Sequence, residues 1–142
     1  MKIADVVKRK GGDVVTVRPD ATVSELLALL AEHRIGAVVA SEDGTAVAGI
    51  VSERDVVRHL HTAGAGLLDA PVADIMTTSV HTSHPDESLE DLATQMTERR
   101  IRHVPVVVDG ALQAIVSIGD IVKFRIDTLQ AERDQLRDYI SQ

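Results

Sequence analysis

The run Ile50-Val51-Ser52-Glu53-Arg54-Asp55-Val56-Val57 returns later in the chain as Ile115-Val116-Ser117-Ile118-Gly119-Asp120-Ile121-Val122. Each copy reads apolar, apolar, Ser, two variable residues, Asp, then two β-branched apolar residues. Two apolar β-branched residues before a serine read as the end of a strand, with the serine as the cap of a following helix. Ser-x-x-Asp then sets a hydroxyl and a carboxylate about one turn apart at a helix N-terminus. Such a pair can close a capping box, in which Ser accepts from the backbone three residues on and the third residue returns the bond. It can also present a carboxylate to the two hydroxyls of a vicinal diol, through a paired, charge-assisted contact. Asp is shorter than the Glu usual in a capping box, which weakens the first role without removing it.

Working outward, the rest of the chain repeats as well. Asp5-Val6-Val7 resembles Asp74-Ile75-Met76, and Thr16-Val17-Arg18-Pro19-Asp20 aligns with Thr82-Ser83-His84-Pro85-Asp86 at an offset of 66. Leu26 and Ile35 meet Leu92 and Ile101, and Asp43-Gly44 meets Asp109-Gly110, at that same offset. Beyond the Asp-Gly pair the offset becomes 65, so the first copy carries one more residue there. It also carries about three more around Lys8–Asp13. A repeat that keeps its order through small insertions is one structural unit used twice.

Each unit spells out its elements. An extended segment, 14–17 or 80–83, runs into a Pro-Asp turn. Thr22-Val-Ser-Glu25 is a capping box and Ser88-Leu-Glu-Asp91 a near-equivalent. The helices that follow carry Val23, Leu26, Leu27 and Leu30, or Leu89, Leu92, Ala93 and Met96, at three- and four-residue spacing, so one face of each is buried. An apolar strand, 37–40 or 104–108, then reverses at the Asp-Gly pair into a second strand, 47–51 or 112–116. The Ser-x-x-Asp opens the last helix, 53–61 or 118 onward. The expected fold is therefore α/β (α+β): two β-α-β-β-α units packed sheet to sheet. The first unit is 1–62, the connector 63–71, the second unit 72–125, and a C-terminal helix 126–142. Thr62-Ala63-Gly64-Ala65-Gly66 reads as a small, flexible connector.

The C-terminal helix departs from the repeat. Val122, Ile126, Leu129, Arg133, Leu136 and Ile140 alternate steps of four and three, a coiled-coil-like seam with one charged interruption. It either pairs with a second protomer or folds back on its own domain.

Bulk properties narrow the function. The 142 residues suit one compact domain or two small ones, and at this size about two-thirds of the unfolded surface can be buried. The net charge of −7 argues against nucleic acid or an anionic membrane as partner. With no cysteine there is no disulfide, thiolate catalyst or Cys-type zinc site. No apolar run approaches the ~20 residues of a membrane span, and the first residues lack a signal-peptide pattern, so a cytoplasmic protein is expected. Phe124 and Tyr139 are the only aromatics, so a flat ligand has to lie between aliphatic side chains. His59-x-His61 and His81-x-x-His84 offer no third ligand at zinc spacing, and no metal is expected. No acid–base or nucleophile–base pair is evident, so the reading is non-catalytic, with no required cofactor.

The ordered set of motifs resembles a tandem pair of CBS domains, a Bateman module, over about residues 1–125. It is carried by Asp74-Ile75-Met76-Thr77, the Pro-x-x-(Thr/Ser) helix starts, Arg102-His103-Val104-Pro105-Val106-Val107, and the twice-used Ile-Val-Ser-x-x-Asp. The resemblance implies a regulatory module that takes adenosine-containing ligands (AMP, ADP or ATP, sometimes NAD or S-adenosylmethionine) in clefts between the repeats. In that family geometry one cleft combines Ile115, Ser117 and Asp120 with Thr16, Ile35, Gly36 and Ala37, and His103 reaches the phosphates. The other combines Ile50, Ser52 and Asp55 with Thr82, Ile101, Arg102 and His103. Core packing is the competing role for the aliphatic members.

Small Gly36 and Ala37 make the Asp120 cleft the roomier expectation. Arg102 and His103 crowd the other but supply cations, as do Arg99 and Arg100 unless they merely complement a helix end. Arg54, inside the first Ser-x-x-Asp, is placed to meet a phosphate at the helix N-terminus. The implied partners are an adenosine compound, a second copy of the chain through the domain faces and the C-terminal helix, and an effector protein. A purely structural interaction module, with both Ser-x-x-Asp pairs acting only as caps, is the alternative.

Overall fold

The computed structural model describes residues 1–141, leaving Gln142 of the expected C-terminal helix outside the described residues. The chain opens with helix α1 (Ile3–Lys10). The first repeat follows as β1 (Thr16–Val17), α2 (Val23–His33), β2 (Ala37–Ala40), β3 (Gly49–Ser52) and α3 (Glu53–Ala63). The second is α4 (Leu89–Arg99), β4 (His103–Val108), β5 (Ala111–Ser117) and α5 (Ile118–Ser141). This is the mixed helix–strand fold the repeat predicts.

The helix starts obey their caps. Thr22 Oγ1 accepts from the Glu25 N–H at 3.1 Å, and the Glu25 carboxylate accepts from the Thr22 N–H at 3.2 Å. Such a cap stabilises a helix by about 1 kcal/mol. Val23, Leu26 and Leu30 are the buried face of α2, and Leu89, Leu92 and Met96 that of α4. Both helices end on an arginine in the left-handed region, Arg34 (φ 54°) and Arg100 (φ 55°).

The strands form two small sheets. In the first, β2 lies between parallel β1 and antiparallel β3, with Val39 opposite Ile50 and Ala37 opposite Ser52. In the second, β4 pairs antiparallel with β5, with Pro105 opposite Ile115 and His103 opposite Ser117. The extended segment of the second repeat is reduced to one bridge, Ser83 to Val106. Pro105 stands beside it and has no N–H to offer a neighbouring strand, although its carbonyl accepts from Ser83 at 3.0 Å.

The two Asp-Gly pairs, expected to behave alike, do not. Asp109 and Gly110 both take positive φ, 51° and 78°, and make the two-residue reversal between β4 and β5. Between β2 and β3 the connection spans residues 41–48, and the strand starts at Gly49 rather than Val47. There Asp43 Oδ1 accepts from Ser41 Oγ and from the Thr45 and Ala46 amides at 2.8–3.1 Å. The carboxylate folds a local knot, which is a competing use of aspartate in turns.

The cores do not follow the repeat boundaries. One cluster gathers Val17, Val23, Leu26, Val38 and Val51 with Leu67, Val72 and Ile75 from beyond α3. The other gathers Leu89, Leu92, Met96, Val104 and Val116 with Ile3 and Val6 from the chain start. The exchange is written into the backbone. Ile3 and Ala4 donate to Glu87 and Pro85 carbonyls at 3.0 and 2.9 Å, while Val72 and Ala73 donate to Ala21 and Pro19 at 2.8 and 2.9 Å. The likeness of Asp5-Val6-Val7 to Asp74-Ile75-Met76 is thus a likeness between two docking segments. Each buried Ile or Val contributes about 1.5–3 kcal/mol, so the docking segments are structural members of both cores. The stretch expected as a loose connector is helical, with a 3₁₀ turn over Gly64–Asp69 that buries Leu67 and a second over Val72–Asp74.

Beyond Thr128, α5 has no buried residue. Val122, Ile126, Leu129, Leu136 and Ile140 are 47–80 % exposed, so the seam does not fold back on this protomer. No described helix is long and apolar enough to cross a membrane.

Candidate functional site

Both Ser-x-x-Asp motifs form complete capping boxes. At α3 the Asp55 N–H donates to Ser52 Oγ at 3.3 Å, and Asp55 Oδ2 accepts from the Ser52 N–H at 2.8 Å. At α5 the same bonds join Asp120 and Ser117 at 3.0 and 2.9 Å. Asp is therefore long enough to return the bond, contrary to the reservation drawn from its length. In both boxes Oδ2 does the capping and Oδ1 has no partner among the described residues. Cap and ligand contact are not exclusive, because they use different oxygens.

The surroundings of the two carboxylates differ. Asp55 opens onto a cleft of about 500 Å³ between the repeats. Its apolar walls are Ala37, Ile50, Val80 and Ile101. Its polar rim holds Ser52, Thr77, Ser79, His81 and His103. Five arginines also line it: Arg54 and Arg58 from α3, and Arg99, Arg100 and Arg102 around the end of α4. In a chain of net charge −7, this is a concentrated positive field inside a concave wall. Gly36 also lines the cleft, and a Cβ added there would stand 3.4 Å from Glu53 Oε1 and 3.9 Å from His103 Cε1. A larger residue there would narrow the junction of the two repeats.

Asp120 borders only a smaller groove and is already paired. Lys10 Nζ donates to Asp120 Oδ2 at 2.8 Å and to the Ile115 carbonyl at 2.8 Å. Burial pushes the Asp120 carboxyl up, but the Lys10 ammonium and the Ser117 amide and hydroxyl outweigh it and hold it below the usual carboxylate range. His103 is held below its ordinary value, first by burial and then by the nearby Lys10 charge. A separate groove of about 330 Å³ lies between α1 and α5, lined by Val6, Arg9, Lys10, Asp120 and Phe124 among others. The roomier cleft is the one at Asp55, against the expectation from residue sizes.

The other expected residues divide accordingly. Gly36 and Ala37, assigned by resemblance to the Asp120 cleft, line the Asp55 cavity, as does His103, which the resemblance gave to both clefts. With them stand Ile50, Ser52, Arg54, Asp55, Ile101 and Arg102. Ile115 and Ser117 stay with Asp120, half-buried. Thr16 pairs with Val39 in the sheet, Ile35 packs on the first core, and Thr82 is exposed; none lines the cavity. Sequence reasoning missed Glu53, Arg58, Thr77, Ser79, Val80 and His81. Arg58 was within reach of a periodicity argument, lying one turn beyond Arg54 on the same helix. The segment 77–81 was not, because its place depends on the exchange of docking segments.

Comparison with known proteins agrees with this architecture. The CBS domain family matches twice, over residues 3–62 and 72–127, and the chain belongs to that family. The mitochondrial CBS domain-containing protein CBSX3 of Arabidopsis thaliana is 34% identical over 146 aligned residues, covering 97% of this chain and 71% of the relative. The crystal structure of the CBS-domain containing protein ATU1752 from Agrobacterium tumefaciens superposes with a TM-score of 0.84 at 42% identity, covering 88% of this chain and 99% of that one. The CBS domain protein PAE2072 of Pyrobaculum aerophilum, solved in complex with AMP, superposes at 0.75 with 28% identity, covering 84% and 89%.

Proposed function

We propose that the chain is a non-catalytic regulatory module that binds an adenosine-containing ligand in the Asp55 cleft and passes the binding state to a partner protein. The observation that carries this reading is Asp55, whose Oδ1 has no partner among the described residues, lining a cleft of about 500 Å³ that five arginines also line. Oδ1 takes a ribose hydroxyl, the aliphatic walls take the base, and the guanidiniums take phosphate. Arginine suits that role because its planar fork matches phosphate oxygens. The AMP complex of the Pyrobaculum relative supports the ligand class. Within that class the arginines favour AMP, ADP and ATP over S-adenosylmethionine, whose sulfonium and ammonium they repel.

Isothermal titration with these nucleotides and with NAD tests the reading. Binding below about 1 mM is expected, weakened at least tenfold by Asp55→Ala. Unchanged affinity in that variant sinks the site assignment. The completed capping boxes favour a second reading, an interaction module in which Asp55 only caps α3. In that case Asp55→Ala costs about 1 kcal/mol of stability, and no nucleotide binds to either protein.

The exposed α5 seam supports a homodimer, with Val122, Ile126, Leu129, Leu136 and Ile140 meeting their counterparts on a second copy.

A further inference from the structure

The two repeats differ most where α1 ends. In the first repeat the Ile50 carbonyl accepts from the Thr77 backbone N–H at 2.8 Å, and the Ile50 N–H donates to the Thr77 carbonyl at 2.9 Å. The docking segment there has turned extended and lies along β3. In the second repeat the docking segment continues as helix to Lys10, three residues past Val7. The carbonyl equivalent to that of Ile50 belongs to Ile115, and it accepts from the Lys10 ammonium instead. The same ammonium reaches Asp120 Oδ2 at 2.8 Å. One positively charged atom thus holds both the strand-end carbonyl and the Ser-x-x-Asp carboxylate.

Two further contacts fix α1 in this position. Arg9 pairs with Asp127 at 3.2 Å, and its guanidinium sits 5.7 Å from the centre of the Phe124 ring. Gly11 and Gly12 follow at once, with φ 60° and 80° and open space around both. The helix therefore stops directly after the lysine, in a conformation that side chains disfavour. No cation is paired with Asp55 among the described residues.

We propose that Lys10 is an internal occupant of the second Ser-x-x-Asp site, which it masks against nucleotide, so that a chain loads its first ligand at Asp55. The inference rests on the nucleotide reading above. The lysine side chain is 39% exposed, so it can leave the carboxylate by rotation of its own stem while α1 stays docked. Masking by an exposed ion pair is weak enough to be overcome, and a ligand displaces it at a several-fold cost in affinity.

The test needs the first site silenced. Nucleotide binding to full-length Asp55→Ala, Lys10→Met and the double variant is measured by calorimetry with AMP and ATP. Methionine keeps the apolar stem and removes the charge. The expected result is one tight site per chain in the wild type, at Asp55, and a second site that binds at least fivefold more tightly in Lys10→Met than in the wild type. The double variant should then bind at least fivefold more tightly than Asp55→Ala alone, and Asp120→Ala added to it should abolish the gain. If the wild type binds one ligand and Lys10→Met adds nothing, the masking is overturned and the Asp55 site stands. If the wild type binds two and Lys10→Met tightens neither, the masking is again overturned. If neither wild type nor Lys10→Met binds nucleotide, the nucleotide reading falls and the masking falls with it. A readout independent of ligand is the Asp120 carboxyl titration by NMR, which should move up in Lys10→Met; no movement means that the pair does not form in solution.

Discussion

The Asp55 and Asp120 ends of the molecule share a sequence, a cap and a helix, yet one opens onto an arginine-lined cleft and the other is held by a lysine. The cause is the path of the docking segment beside each. Where residues 76–77 run extended along β3, the backbone satisfies Ile50 and leaves the carboxylate alone. Where α1 winds on to Lys10, a side chain satisfies Ile115 and takes the carboxylate as well. A three-residue difference in a docking segment therefore separates two sites whose motifs are alike. Duplicated sites can diverge through the segments that abut them while their signature residues stay the same.

The comparison extends to the helices. α3 stops at Ala63 while α5 runs on to Ser141, 24 residues in all. Deleting residues 129–142 makes α5 as short as α3 and, among the described residues, removes only exposed positions. The largest effect is expected from this truncation: a dimer dissociation constant raised at least tenfold, seen by analytical ultracentrifugation, with the urea midpoint of the monomer little changed. An unaltered dimer would place the interface on the domain faces alone.

Next in size is the strand residue before Ile50. A Cβ added at Gly49 would stand 2.8 Å from Met76 Sδ and 2.9 Å from the Thr77 carbonyl oxygen. Its counterpart in the second repeat is Ala114, which is buried without such a neighbour because no extended segment crosses β5 there. Gly49→Ala should therefore destabilise by about 1–3 kcal/mol, the cost of overpacking against backbone. Ala114→Gly should cost about 1 kcal/mol, through backbone freedom and the loss of one buried methyl, with no clash. Equal effects in denaturant titrations would mean that the docking segments are interchangeable.

A smaller effect of opposite sign is expected at Ser83, which is 4% exposed and whose hydroxyl has no partner among the described residues. The first repeat places Val17 at this position. Ser83→Ala should stabilise by about 1 kcal/mol, since a buried hydroxyl without a bond costs about that much or more. Destabilisation would mean that a buried water satisfies the hydroxyl.

The fold was legible in the sequence because its signals are local and occur twice. Thr22 and Ser88 cap as their spacing says, the helix stripes bury Leu26 and Leu92, and Asp109-Gly110 turns as its residue types require. Three things were not legible. Asp43 has the residue type of a hairpin turn but spends its carboxylate on the amides of Thr45 and Ala46, and local composition does not separate the two uses. The exchange of docking segments joins residues about 85 positions apart, as Ile3 with Glu87, beyond the reach of periodicity. Lys10 lies inside the small insertion that the repeat alignment shows, but its contact with Asp120 depends on α1 staying helical and docking on the other repeat. The motif residues Ser52 and Asp55 do line a cleft, but the copy expected to be the roomier was the wrong one.

The smallest effect is electrostatic and reads the Lys10 side of the comparison. His103 stands at the junction of the repeats, with Lys10, Asp120, Glu53 and Arg102 as its charged neighbours. Burial is the main cause of its lowered pKa, and Lys10 is next, while Asp120 and Glu53 pull the other way. In Lys10→Met the histidine should titrate partway back toward about 6.5, its ordinary value, and NMR of the ring protons follows this directly. A folded-state pKa below the unfolded one means that the unfolded chain binds the proton more readily. His103 thus contributes stability that is fully present above its unfolded pKa and lost as pH falls through the folded one. Asp120, also lowered, contributes in the same direction at more acid pH, from its unfolded carboxylate range downward. Removing the Lys10 charge should flatten the acid side of the stability curve in both windows. An unchanged His103 titration would show that the ammonium does not rest between the strand end and Asp120 in solution, and the contrast between the two clefts would then have to be carried by the arginines alone.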